Sequence, residues 1–106
     1  MTRIEYLLVC LMEECAEVSQ AASKSLRFGL GDRYKDKDTP EKALAAEILD
    51  LIAVIGMLQA ENVADSDATT YMEGLSRKRD KVEKYILYSQ ERGIVNKESG
   101  DVEFEE

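Results

Sequence analysis

No histidine occurs among the 106 residues, and that absence excludes more chemistry than any motif present supplies. Histidine-based catalytic triads, histidine-ligated zinc and Glu-x-x-His di-iron bundles all need a residue this chain does not own. Neither a P-loop nor a Gly-x-Gly-x-x-Gly turn is present, so the two commonest glycine-rich phosphate cradles are excluded as well. No apolar stretch reaches the ~18 uncharged residues of a membrane span, and the N-terminus lacks the basic segment, apolar core and cleavage site of a signal peptide. The expectation is a cytoplasmic protein with no membrane partner. Cysteine is scarce: Cys10 and Cys15 fall five apart on one predicted helix, a rise of ~7.5 Å, poor geometry for a mutual disulfide, so both read as free, mostly packed thiols. Basic residues are too few, 14 against 22 acidic for a net charge of -8, to neutralise nucleic-acid phosphates, so no nucleic-acid partner is expected.

What is present is helical periodicity, without repeats and without strand-like alternation long enough to matter. Apolar residues recur at Ile4, Leu7, Leu8, Leu11, Cys15, Val18, Ala22 and Leu26, the spacing of an amphipathic helix from Arg3 to about Leu26. Arg27 to Asp38, with Gly29 and Gly31 and mixed charges, reads as a loop. Thr39-Pro40-Glu41 then starts a second helix, Thr39 as N-cap and Pro40 at the first helical position, running to about Ala60. A short polar connection follows, with Asp65 or Ser66 able to cap a third helix that ends near Glu91 and Gly93. From these signals we expect an all-α fold of about three main helices over residues 1–93, with an acidic, mobile tail over 94–106.

The second helix poses the functional question. Ala43 to Ala60 is an apolar run interrupted by only two charges, Glu47 and Asp50, so it is expected to be buried almost all round, and buried carboxylates are costly unless something pairs with them. The first helix carries Glu14 and Glu17 at the same separation of three, beside its buried stripe, while Glu13 points further toward solvent. Two such pairs on packed helices would form a four-carboxylate cage. An all-oxygen site of this kind selects Mg²⁺, with Mn²⁺ as the alternative, and Mg²⁺ commonly bridges carboxylates to substrate phosphates. The concentrated basic segment of the third helix, Ser76 to Tyr85, could hold a polyphosphate. Each feature has a plainer reading: Glu14 and Glu17 as a solvated face, and the basic run as a soluble exterior with pairs such as Asp80–Lys84.

Glu13-Glu14-Cys15-Ala16-Glu17 followed by Glu47-Ile48-Leu49-Asp50 resembles the signature of the MazG-like all-α nucleoside triphosphate pyrophosphohydrolases, relatives of the all-α dUTPases. Lys78 to Tyr85 is similar to a further lysine-rich element of that family, with Val82 where the family has asparagine, and the separation between the acidic motifs is slightly longer than usual. The resemblance covers roughly Leu7 to Tyr85. It implies Mg²⁺ ligation by Glu14, Glu17, Glu47 and Asp50, and cleavage of a nucleoside triphosphate to monophosphate and pyrophosphate. The accompanying roles are water activation by Glu13 or Glu14, charge stabilisation by Lys78 and Lys81, and substrate contacts from Lys84, Tyr85, Phe28 and Tyr34. At least a homodimer is expected, because Leu44, Ile48, Leu51, Ile52, Ile55 and Leu58 spread too widely around the second helix for one buried stripe, and the family resemblance also allows a dimer of dimers. Two other functions compete: a non-enzymatic dimeric helical interaction protein, and a hydrolase of the same fold acting on nucleoside diphosphates or modified nucleotides.

Overall fold

The computed structural model describes residues 1–33 and 38–97. Among them there are three α-helices and no strand: α1 (Arg3–Phe28), α2 (Pro40–Ala60) and α3 (Ala68–Glu91), the all-α class the periodicity implies. The chain divides into two compact units, Met1–Asp65 and Ser66–Glu106. The mobile tail expected over 94–106 lies, from residue 98 on, outside the described residues, as does Tyr34.

Local chemistry explains each helix start. Thr2 and Glu5 form a capping box at the head of α1, Thr2 Oγ1 accepting from the Glu5 amide at 3.1 Å while Glu5 Oε1 accepts from the Thr2 amide at 2.7 Å. α1 runs two residues past the expected Leu26 and stops where Gly29 takes φ 90°, its N–H donating to the Ser25 carbonyl. Thr39 caps α2 as the sequence suggests, its hydroxyl accepting from the Lys42 amide at 3.2 Å, with Pro40 next to it. The cap of α3 is a correction. Asp67 takes that role in place of Asp65 or Ser66, accepting from the Thr70 amide at 2.8 Å, because it is the residue immediately before the first helical turn.

In the first unit α1 and α2 pack side by side and antiparallel. Arg3 Nε reaches Glu61 Oε2 at 2.9 Å, joining the start of α1 to the residue that caps the end of α2. The Glu41 amide donates to the Leu30 carbonyl at 3.1 Å, fastening the loop to the start of α2. Among the described residues Leu7, Ala21 and Leu58 are the buried apolar ones, which is a thin core. The expectation that α2 is enclosed almost all round therefore fails within one chain: Leu58 is buried at 2 %, but Leu49 is 65 % and Ile52 56 % exposed. The reason is that α1 covers one side only, the side of Leu44, Leu51, Val54, Ile55 and Leu58. By length and composition α2 could also cross a bilayer, a property it shares with core helices of other proteins.

In the second unit α3 carries Tyr71, Met72, Leu75, Val82, Tyr85, Leu87 and Tyr88 exposed, and none of its residues is buried. Lys84 lies over the Tyr85 ring at 5.9 Å and forms no ion pair with Asp80 among the described residues, so the pairing suggested for that face is replaced by a cation–π contact.

Candidate functional site

The antiparallel register of α1 and α2 decides which acids meet. Arg3 lies level with Glu61, and the same register counted inward sets Glu14 level with Asp50 and Glu17 level with Glu47. One carboxylate oxygen from each of these four acids falls within 4.8 Å of all the others. A separation of three residues on each helix makes this convergence, since i and i+3 are neighbours on one helical face. Glu14 and Glu47 are half-buried, Glu17 and Asp50 exposed, so the cluster is walled on one side and open on the other.

Its electrostatics are unfavourable as they stand. Glu14 Oε2 and Glu47 Oε2 are shielded from water, and among the described residues neither of these two oxygens has a hydrogen-bond partner. Desolvation, followed by the charges of Glu17 and Asp50, raises the Glu14 pKa above the ordinary glutamate value. For Glu47 the leading cause is a hydrogen bond with the Glu17 carboxyl, which exists only when one of the two is protonated; desolvation and the charges of Glu17, Asp50 and Glu14 follow. These residues fit a hard cation: the donors are all oxygen, two of them are orphaned, and positive charge at their centre would relieve the repulsion that otherwise retains protons.

A pH dependence follows from the direction of those shifts. With both pKa values higher in the folded than in the unfolded chain, the folded state binds more protons in the interval from the ordinary value near 4.5 up to the raised ones. Stability in that interval falls as pH rises. The cation-free protein is therefore expected to melt at a higher temperature just above pH 4.5 than at neutral pH. Below that interval the trend reverses, because the caps made by Glu5 and Asp67 hold lowered pKa values and are lost on protonation. Melting curves in chelator across this range check both limbs.

No family model, curated protein or solved structure matches the chain.

The remaining candidate residues distribute unevenly. Glu13 is exposed and stands outside the four-acid cluster, though its charge still contributes to the raised Glu14 pKa. Lys78, Lys81, Val82 and Tyr85 line a shallow groove of about 290 Å³ on α3, completed by Ile86, Ser89 and Val95 of the same unit. Of the thiols, Cys10 is half-buried and Cys15 exposed, so only the first is packed as expected, and both are free. Phe28, half exposed beneath the Arg27 guanidinium at 4.8 Å, lines a larger pocket of about 480 Å³ that begins at Glu17 and Glu47. Sequence reasoning missed three polar residues of this pocket, Gln20, Lys24 and Asp38. The first two had a signal: they follow Glu17 by three and seven residues and so share its helical face.

Proposed function

We propose that this chain is a divalent-cation-dependent hydrolase that cleaves a nucleoside triphosphate to the monophosphate and pyrophosphate. The observation that carries the reading is the convergence of Glu14, Glu17, Glu47 and Asp50 with two orphaned carboxylate oxygens among them. These four residues would hold Mg²⁺, or Mn²⁺ in its place. When bound, such an ion supplies charge neutralisation for phosphate oxygens and a water of lowered pKa. The acids themselves fix the ion against α1 and α2, both of which are anchored at their ends by caps and by the Arg3–Glu61 pair. Glu13 or Glu14 takes the proton of the attacking water, Glu13 being the more exposed and Glu14 the one with the raised pKa. The functional unit is at least a dimer, since the outward side of α2 is apolar and uncovered in one chain.

Product analysis tests the reaction. Incubation with Mg²⁺ and each canonical triphosphate, followed by phosphorus NMR, is expected to show pyrophosphate and monophosphate growing in equal amounts. Orthophosphate with a diphosphate product would place attack at the γ-phosphate and overturn the assignment. A second reading is favoured by the exposed apolar residues of α2, which also suit a non-enzymatic helical interaction protein. That reading predicts no cleavage of any nucleotide and no gain in melting temperature with millimolar Mg²⁺.

A further inference from the structure

The turn that ends α3 carries the chain back onto the helix it has just left. Gly93 takes φ 76°, after which the Ile94 and Val95 amides both donate to the Ser89 carbonyl, at 2.9 and 3.2 Å, and the Gln90 side-chain amide donates to the Asn96 carbonyl at 3.3 Å. Val95 thereby joins Val82, Tyr85 and Ile86 in lining the groove of about 290 Å³ along α3, which also takes in Lys78 and Lys81. A shallow space of that volume lies just below the range of about 300–1,000 Å³ that encloses a small molecule, and suits one or two side chains instead. An apolar trough with two lysines on it calls for an occupant that is apolar at its centre and acidic around it.

The chain just beyond the described residues has that composition. Residues 98–106 carry five acids, Glu98, Asp101, Glu103, Glu105 and Glu106, with no lysine or arginine, and two large apolar residues, Val102 and Phe104. In an extended conformation Val102 and Phe104 share one face and Asp101, Glu103 and Glu105 the other, because side chains alternate with period two. The lengths agree as well. From Ser89, over which the chain turns back, to Lys78 is eleven residues of helix, ~16.5 Å, which an extended chain rising ~3.3 Å per residue covers in about five residues. Val102 and Phe104 follow Asn96 by six and eight, so both can reach any point of the groove, with slack that Ser99 and Gly100 can take up as a bend. So short a tether gives an effective concentration on the order of millimolar, and weak contacts are then enough to fill the groove. We propose that residues 98–106 fold back along α3 and occupy this groove, with Phe104 against Val82 and Ile86 and the acids of the segment on Lys78 and Lys81. None of this depends on the hydrolase reading of the four-acid cluster.

Isotope-filtered NMR on the full chain tests it, with uniformly ¹³C,¹⁵N-labelled protein mixed with an equal amount of unlabelled protein. Nuclear Overhauser effects from the Phe104 ring to the methyl groups of Val82 and Ile86 are expected within the labelled chain. Combining Lys78→Glu with Lys81→Glu reverses the charge at two exposed positions and should weaken those effects about 5-fold or more at low salt, while the circular dichroism spectrum stays helical. Should the variant lose its helical spectrum, molar salt on the wild type takes its place, since it screens the same exposed pairs and is expected to weaken the effects likewise. Absence of any contact between Phe104 and α3 in the wild type would overturn the inference and leave the groove to an outside partner. Contacts indifferent to charge reversal, or to molar salt where that replaces it, would overturn it too. Effects seen only between labelled and unlabelled chains would assign the groove to the tail of a second copy, and so contradict it equally.

Discussion

Glu47→Gln is expected to slow triphosphate cleavage by on the order of 10²-fold or more and to abolish most of the rise in melting temperature that Mg²⁺ gives the wild type. The substitution is nearly isosteric and removes one charge from the middle of the cluster. Glu47 is the half-buried acid on α2, with an oxygen that has no hydrogen-bond partner among the described residues, so its carboxylate, like that of Glu14 on α1, gains from a cation. Without the cation, the same change relieves repulsion among four acids whose oxygens lie within 4.8 Å. The variant should therefore be at least as stable as the wild type in chelator, and retain a helical circular dichroism spectrum. A lost Mg²⁺ response together with retained stability points to a ligand, whereas loss of both would point to a structural role. A variant that responds to Mg²⁺ like the wild type would show that Glu47 does not hold the ion.

The second large effect concerns the uncovered side of α2. Ile48, Leu49, Ile52 and Met57 are all exposed on it, and water-facing apolar residues in such concentration mark an interaction surface. We expect light scattering to give a dimer or a dimer of dimers at micromolar concentration. Ile52→Asp should dissociate it, because a carboxylate in an interface core loses its hydration without gaining a partner, a cost of several kcal/mol. Since Ile52 makes little contact within its own chain, being 56 % exposed, a dissociated chain that keeps its α1–α2 hairpin is one readable outcome and a wholly unfolded one is the other. Either outcome places Ile52 in the interface, and only the second shows that association also supports the fold. A wild type that is monomeric, or a variant that remains as large as the wild type, contradicts the expectation.

The parts of this molecule legible in the sequence are those set by local chemistry. Thr39 and Pro40 fix the start of α2 because an oxygen cap and a pre-formed φ act within one turn, and Gly29 ends α1 because only glycine takes that positive φ freely. The acid cluster was legible for a different reason. Two carboxylates inside an otherwise apolar helix need an explanation, and the matching pair on α1 supplied one. The cap of α3 was not, since Asp65, Ser66 and Asp67 are three consecutive residues of equal capping competence, and the choice depends on where the chain turns. Hydrophobicity likewise raised the expectation that α2 is enclosed, but composition does not say how much of a helix its own chain covers, and Leu49 and Ile52 are exposed. The pocket residue Asp38 was invisible because it joins Lys24 only through the antiparallel register, and a register belongs to the packed helices rather than to either one.

The central claim is that Glu14, Glu17, Glu47 and Asp50 together hold a divalent cation, and Mn²⁺ titration followed by two-dimensional ¹H–¹⁵N NMR tests it most directly. A bound paramagnetic ion broadens the amides nearest to it. Substoichiometric Mn²⁺ is predicted to erase the signals around Glu14, Glu17, Glu47 and Asp50 first, with excess Mg²⁺ restoring them. Broadening that begins instead around acids outside the cluster, such as Glu73, Glu83 or Glu91, or that spreads evenly over all of them, would contradict the claim.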